Sequence, residues 1–166
     1  MEKQEDLFKK IVTDFQDKIY RLCWIYVQND SECDDLVQDI YVKIWRNLKK
    51  FKKQSALGTW IYRVVVNTCI DFLRNKNTRY TIHLDKMDYE RITDGEKDVE
   101  NKIIEYEKLQ ILQHCIQKLT EIEKAIIALY LEELKYSEIA EIIGISEKNV
   151  GVKISRIKNK MKAFLP

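Results

Sequence analysis

Lys148, Asn149, Lys153, Ser155, Arg156 and Lys158 are a run of hydrogen-bond donors interleaved with Val150, Ile154, Ile157 and Met161. The three- and four-residue spacing of the apolar members puts them on one side of a helix and the donors on the other. Such a helix suits the major groove of duplex DNA, where cations meet phosphates and asparagine, serine or arginine reaches base edges. An ordinary helical hairpin with a solvated basic face is the plainer reading. The residues ahead of the run favour the groove. Ile139, Ala140 and Ile143 give a short apolar helical face, Gly144 breaks it, and Ser146 can cap the next helix. Two short helices meeting at a glycine turn make a helix-turn-helix. Ala140 is small where the helices cross, and Gly144 suits a positive φ.

A second group of cations lies far upstream. Lys49, Lys50, Lys52, Lys53, Gln54 and Ser55 surround Phe51 in a segment read as an exposed loop. A basic loop flanked by aromatics can hold single-stranded nucleic acid. Arg63, Asn67 and Arg74 follow at helical spacing on a shared face, suited to phosphate contacts. Trp60 beside them reads more readily as core than as a stacking platform. Before the loop, Asp34, Asp35, Gln38 and Asp39 precede Lys43 and Arg46, and acids at a helix start with bases at its end complement the macrodipole.

The elements that must position these groups are all helices. Leu7, Phe8, Ile11, Val12, Phe15, Ile19, Leu22, Cys23 and Tyr26 predict a helix from Asp6 to Val27 with a wide buried stripe. Asp30 or Ser31 can cap a second helix, running to about Lys50, with Leu36, Val37, Ile40, Tyr41, Ile44, Trp45 and Leu48 inward. Ser55 is expected to cap a third, Ala56 to about Lys76, with Tyr62 on its polar side. Periodicity then lapses over 77–99, an acidic stretch read as a flexible linker. Beyond it, Ile103, Ile104, Tyr106, Leu109, Leu112, Cys115, Ile116 and Leu119 build another helix, and Thr120 with Glu123 forms a capping box for the next. The expectation is an all-α chain of two small helical domains, 1–76 and 100–166, joined by 77–99.

Composition agrees with that class and narrows the chemistry. The 166 residues are 45% hydrophobic and 34% charged, with one proline and four glycines, so helices meet few breaks. A net charge of +2 means that a DNA binder must concentrate its cations locally. Cys23, Cys33, Cys69 and Cys115 form no CxxC pair and read as buried reduced thiols; their spacing with His83 or His114 gives no support for zinc. Paired acids in an apolar setting, a phosphate loop and a nucleophile–base constellation are all missing, which argues against an enzyme, a cofactor or a small-molecule substrate. No apolar run approaches the ~18 residues of a membrane span, and a cytoplasmic protein without membrane insertion is expected. An autonomous dimeric regulator using only the helix-turn-helix is a further possibility, but no coiled-coil heptad supports it.

Taken together, the blocks resemble the extracytoplasmic-function (ECF) sigma factors of bacterial RNA polymerase. The first domain is similar to that family's promoter-melting domain through Asp34–Trp45, Thr59–Val64, Asn67 and Asp71–Arg74. The second is similar to its minus-35-binding domain through Leu119–Glu121 and Tyr136–Met161. The resemblance implies that Asp35, Gln38 and Asp39 dock on the clamp coiled coil of core polymerase. It implies that the loop Lys49–Ser55 captures a base flipped from the minus-10 element, with Arg63, Asn67 and Arg74 near the opened strand. It also implies that Lys148, Asn149, Lys153 and Arg156 read or clamp the minus-35 duplex, and that an anti-sigma factor holds the protein inactive. The chain departs from the family at Gly151 and Val152, where a basic or polar and then a small polar residue are usual, and at Gly58, where a larger polar residue is common.

Overall fold

A computed structural model describes residues 2–27, 29–79 and 99–166. Its described elements are seven helices: α1 (Glu2–Tyr26), α2 (Asp30–Leu48), α3 (Leu57–Arg79), α4 (Val99–Gln117), α5 (Glu121–Leu131), α6 (Tyr136–Ile143) and α7 (Glu147–Ala163). The all-α expectation holds for them. Most of the expected linker, residues 80–98, lies outside the described residues. At its margins the backbone of 77–79 continues α3, and Val99 opens α4.

Helices α1, α2 and α3 pack on one another, as do α5, α6 and α7. In α2 the buried side chains Leu36, Ile40, Ile44 and Leu48 recur every four residues, so a single stripe faces α1 and α3. Asn29, rather than Asp30 or Ser31, caps this helix by accepting from the Glu32 amide at 3.1 Å. At the start of α3 the Ala56 carbonyl receives the first helical bond, from Trp60 N at 3.1 Å, which displaces the expected Ser55 cap by one residue.

Helix α3 is enclosed on more sides than its pattern suggests, because α1, α2, α5 and α6 all pack against it. Ile61, Tyr62, Val65, Val66, Cys69 and Ile70 are buried. Tyr62, expected on the polar side, lies edge-on to Phe15 with ring centroids 5.9 Å apart. Burial pushes its hydroxyl pKa up to about 12. Trp45, expected inward, is only half covered: it meets Phe8 edge-on at 5.2 Å and leaves 38% of its surface exposed.

The C-terminal half follows its local signals closely. Thr120 Oγ1 accepts from Glu123 N at 3.3 Å while the Glu123 carboxylate accepts from Thr120 N at 2.8 Å, completing the capping box. Gly144 ends α6 at φ 82°, and its amide donates to the Ala140 carbonyl at 2.8 Å. Ser146 then caps α7, accepting from Asn149 N at 3.2 Å. Ile139 and Ile142 of α6 interlock with Val150, Ile154 and Ile157 of α7 in the buried core.

The apolar residues of α4 behave differently from expectation. Cys115, Ile116 and the following Leu119 are buried, whereas Ile103, Ile104, Leu109 and Leu112 are exposed. Cys115 and Ile116, near its C-terminal end, are the buried residues of α4 among those described.

The two halves meet along a seam formed by α1 and α3 with α5 and α6. One continuous buried cluster runs through both, joining Ile25, Tyr26 and Val27 to Ile116 and Leu119. Polar groups at the seam are paired as well. Tyr26 Oη donates to the Glu121 carbonyl at 3.2 Å, and Gln117 Nε2 donates to the Ile25 carbonyl at 3.3 Å.

Candidate nucleic-acid interface

The outward face of α7 is set by its apolar anchors. With Val150, Ile154 and Ile157 buried against α5 and α6, the intervening Lys148, Asn149, Val152, Lys153, Ser155 and Arg156 are all exposed. Asn149, Val152, Lys153 and Arg156 fall at three- and four-residue spacing and share one face. The Ser146 cap accepts from the Asn149 amide and fixes the first turn of α7, and a helix N-terminus is an end at which phosphates are favoured.

Lys158 takes a different role from its neighbours. Its Nζ donates to Tyr130 Oη at 2.7 Å and lies 4.3 Å from that ring's centroid, so α7 is tied to α5 there. The hydroxyl contact raises the lysine pKa. Lys160, which sequence reasoning passed over, is bound to Glu123 at 2.8 Å. Gly151 is half-buried and faces Tyr136 of α6, whose ring an added Cβ would meet at 3.4 Å. The missing side chain at 151 therefore belongs to the packing of α6 against α7, and the departure at Val152 is the one on the outer face.

The basic loop between α2 and α3 is pinned at one end and strained at the other. Phe51 N donates to the Leu48 carbonyl at 3.2 Å, and the Phe51 ring lies on Trp60 with centroids 5.1 Å apart. Trp60 is half-buried under that ring, in keeping with a packing role. Lys53 has φ 55°, in the left-handed region that an L side chain occupies at a cost. Lys49, Lys50, Lys52, Lys53 and Gln54 are exposed, and Ser55 is half-buried. Asn67 is exposed on α3. Arg63 and Arg74 point across the seam: Arg63 Nη2 donates to the Glu141 carbonyl at 3.0 Å, and Arg74 Nε donates to Glu121 Oε2 at 3.0 Å.

On α2, Asp35, Gln38 and Asp39 are exposed, and Asp39 approaches Lys43 at 3.5 Å. Val42 stands on the same face, 44% exposed, with Trp45 next to it. An acidic patch bordered by exposed apolar side chains is a better protein-docking surface than the acids alone. The sequence pattern concealed it by marking Trp45 as core.

Among the described residues no group of His, Cys, Asp and Glu is placed to hold a metal ion. Cys23, Cys33, Cys69 and Cys115 are free and buried. Contact with Cys23, together with burial, pushes the Cys33 thiol pKa up, so it is a poor nucleophile. No described helix is long and apolar enough to cross a membrane.

Comparison with known proteins finds a family match in each half of the chain. Residues 11–79 match the Sigma-70 region 2 family and residues 109–161 the Sigma-70 region 4 family. The chain is 31% identical to the ECF RNA polymerase sigma-E factor of Escherichia coli over 169 residues, covering 95% of this chain and 88% of that protein. It belongs to the ECF sigma factors. The ECF RNA polymerase sigma factor SigW of Bacillus subtilis is 29% identical over 168 residues, covering 97% of this chain and 90% of that one.

Among solved structures, the sigma factor RpoE in complex with the anti-sigma factor NepR from Bartonella quintana aligns with a TM-score of 0.72 at 17% identity, covering 95% of each chain. CnrH in complex with the cytosolic domain of CnrY aligns at 0.70 and 20% identity, covering 96% of this chain and 87% of that one. As an ECF sigma factor the protein is a non-enzymatic initiation factor: it binds core RNA polymerase and promoter DNA and directs promoter-specific transcription initiation.

Proposed function

We propose that this sigma factor divides its work between a promoter-melting and core-binding domain, 1–76, and a minus-35-binding domain, 100–166, joined by 77–99. The observation that carries the division is the presence of two separate exposed cationic surfaces, one within each matched region. On this reading Asp35, Gln38 and Asp39 dock on the clamp coiled coil of core polymerase, where complementary charge sets orientation and association rate. Val42 and the rim of Trp45 supply apolar area beside them.

The loop Lys49–Ser55 receives the flipped minus-10 base. Arg63, Asn67 and Arg74 hold the opened strand's phosphates, and this cationic surround offsets the few kcal/mol that flipping costs. Lys148, Asn149, Lys153, Ser155 and Arg156 engage the minus-35 duplex. Lys158, bound to Tyr130, supports the helix and adds positive potential. The protein acts in the cytoplasm on core polymerase and is restrained by an anti-sigma factor. The likeness in fold to two sigma factors solved in complexes supports that last partner.

Run-off transcription with cognate core polymerase tests the assignment. Wild-type protein should start transcripts at discrete sites. The variant D35K/D39K should lose core binding while keeping its helical circular dichroism and thermal transition. Undiminished core affinity in that variant would place the docking surface elsewhere.

A further inference from the structure

We propose that Val152 selects a thymine in the minus-35 element, by packing its methyls against the C5-methyl of that base in the major groove. This rests on the assignment of the outer face of α7 to the minus-35 duplex, and adds what one position on that face reads. Among the described residues of α7, Val152 is the one large apolar side chain that stays exposed, with 40% of its surface open. Its helical neighbours three and four positions away are Lys148, Asn149, Ser155 and Arg156, and all four are polar and exposed. Val150 and Ile154, two positions to either side, are buried. At 3.6 residues per turn that places Val152 nearly opposite the buried stripe, at the centre of the donor face. It also lies in the second turn of α7, near the end that a recognition helix presents to base edges.

Nothing within the helix calls for valine at this position. A β-branched side chain is a poorer helix former than alanine, lysine or arginine, and an exposed one leaves its methyls in water. The gain has to come from what α7 meets. Phosphate offers nothing to an alkyl group, and the long cations Lys148, Lys153 and Arg156 are the groups that suit it.

The base edges offer one partner of the right chemistry. In the major groove guanine, adenine and cytosine present hydrogen-bonding groups and no alkyl group. Thymine alone adds a methyl, which a side chain without donors or acceptors can recognise. Pressed against another base, the valine leaves an O6, N6 or N4 group desolvated and without a partner. That penalty adds rejection of the wrong base to attraction for the right one.

The test uses the full chain assembled with cognate core polymerase. The probe is a fluorescein-labelled duplex carrying the minus-35 element of a promoter mapped by run-off transcription and stopping short of the minus-10 element. Each thymine of the element, on either strand, is replaced in turn by deoxyuridine, which removes the methyl and keeps every hydrogen-bonding group. Competition against the labelled parent, read by anisotropy, gives the affinities. Wild-type holoenzyme should bind one of these duplexes about two- to five-fold more weakly than the parent, the worth of one buried methyl. V152S should bind that duplex and the parent alike, and V152A should fall between. Helical circular dichroism confirms that both variants are folded. A merely structural role for Val152 would weaken both duplexes equally and leave the deoxyuridine effect in place.

A wild-type protein indifferent to every deoxyuridine overturns the proposal. So does an effect of undiminished size in V152S, or a minus-35 element without an A·T pair. A duplex with the whole element scrambled separates this inference from the reading beneath it. If scrambling weakens wild-type binding while no single methyl matters, α7 keeps the minus-35 element and Val152 loses its role. If scrambling changes nothing, the assignment of α7 to that element falls, and the role of Val152 with it.

Discussion

Arg21 and Glu132 are 111 positions apart in sequence and joined by two hydrogen bonds, of 2.7 and 2.9 Å. The pair is lopsided, since the arginine side chain is 56% exposed and the glutamate only 9%. Removing the arginine strands a carboxylate that water hardly reaches. Removing the glutamate leaves a guanidinium that water solvates readily. R21A should therefore cost about 1–3 kcal/mol of stability, and E132A about 1 kcal/mol or less. Urea unfolding of both variants and the double variant measures the difference, and equal losses would contradict the stated burial.

Gly151 lies within α7 and has no positive φ to require it. G151A places a Cβ at 3.4 Å from a ring carbon of Tyr136, itself 38% exposed and able to yield. The helix gain of about 1 kcal/mol should dominate. Thermal unfolding should shift upward by a few degrees; a downward shift would mean that the α6–α7 contact is already full.

Glu123 joins the α5 capping box to Lys160 of α7. Burial pushes its carboxyl pKa up, but the Lys160 ammonium and the Thr120 amide and hydroxyl outweigh that, and the net value falls below the usual 4.5. A depressed folded-state pKa means that the stabilisation is complete above the unfolded value and is lost as pH falls through the folded one. E123Q should be less stable than wild type at neutral pH, and the gap should close on acidification below about pH 4.5. A gap that stays constant down to pH 3 would show that the ionised form contributes nothing.

Arg156 is exposed on the outer face of α7 beside Asn149 and Lys153. R156A should weaken binding to minus-35 duplex. If the contact is to phosphate, the slope of log affinity against log salt should fall by roughly one unit. A normal slope with altered base preference would move Arg156 from the backbone to a base edge.

The helix-turn-helix was legible in the sequence because every signal for it is local. Gly144, Ser146 and the spacing of Val150, Ile154 and Ile157 act within one or two turns of chain, and each appears where expected. The capping box of Thr120 and Glu123 is legible for the same reason. Helical periodicity likewise determined the all-α class and the two cationic surfaces.

Tertiary structure alone decided what periodicity cannot encode, namely which neighbour covers a given face. Tyr62 looks polar by position yet is buried, because α3 is enclosed by four helices. Ile103, Ile104, Leu109 and Leu112 look like core yet remain exposed on α4. Arg63, Arg74 and Lys158 read alike as free cations, but each reaches a partner 28 to 78 residues away. Burial and pairing are sums over contacts distant in sequence, and no local pattern carries that sum.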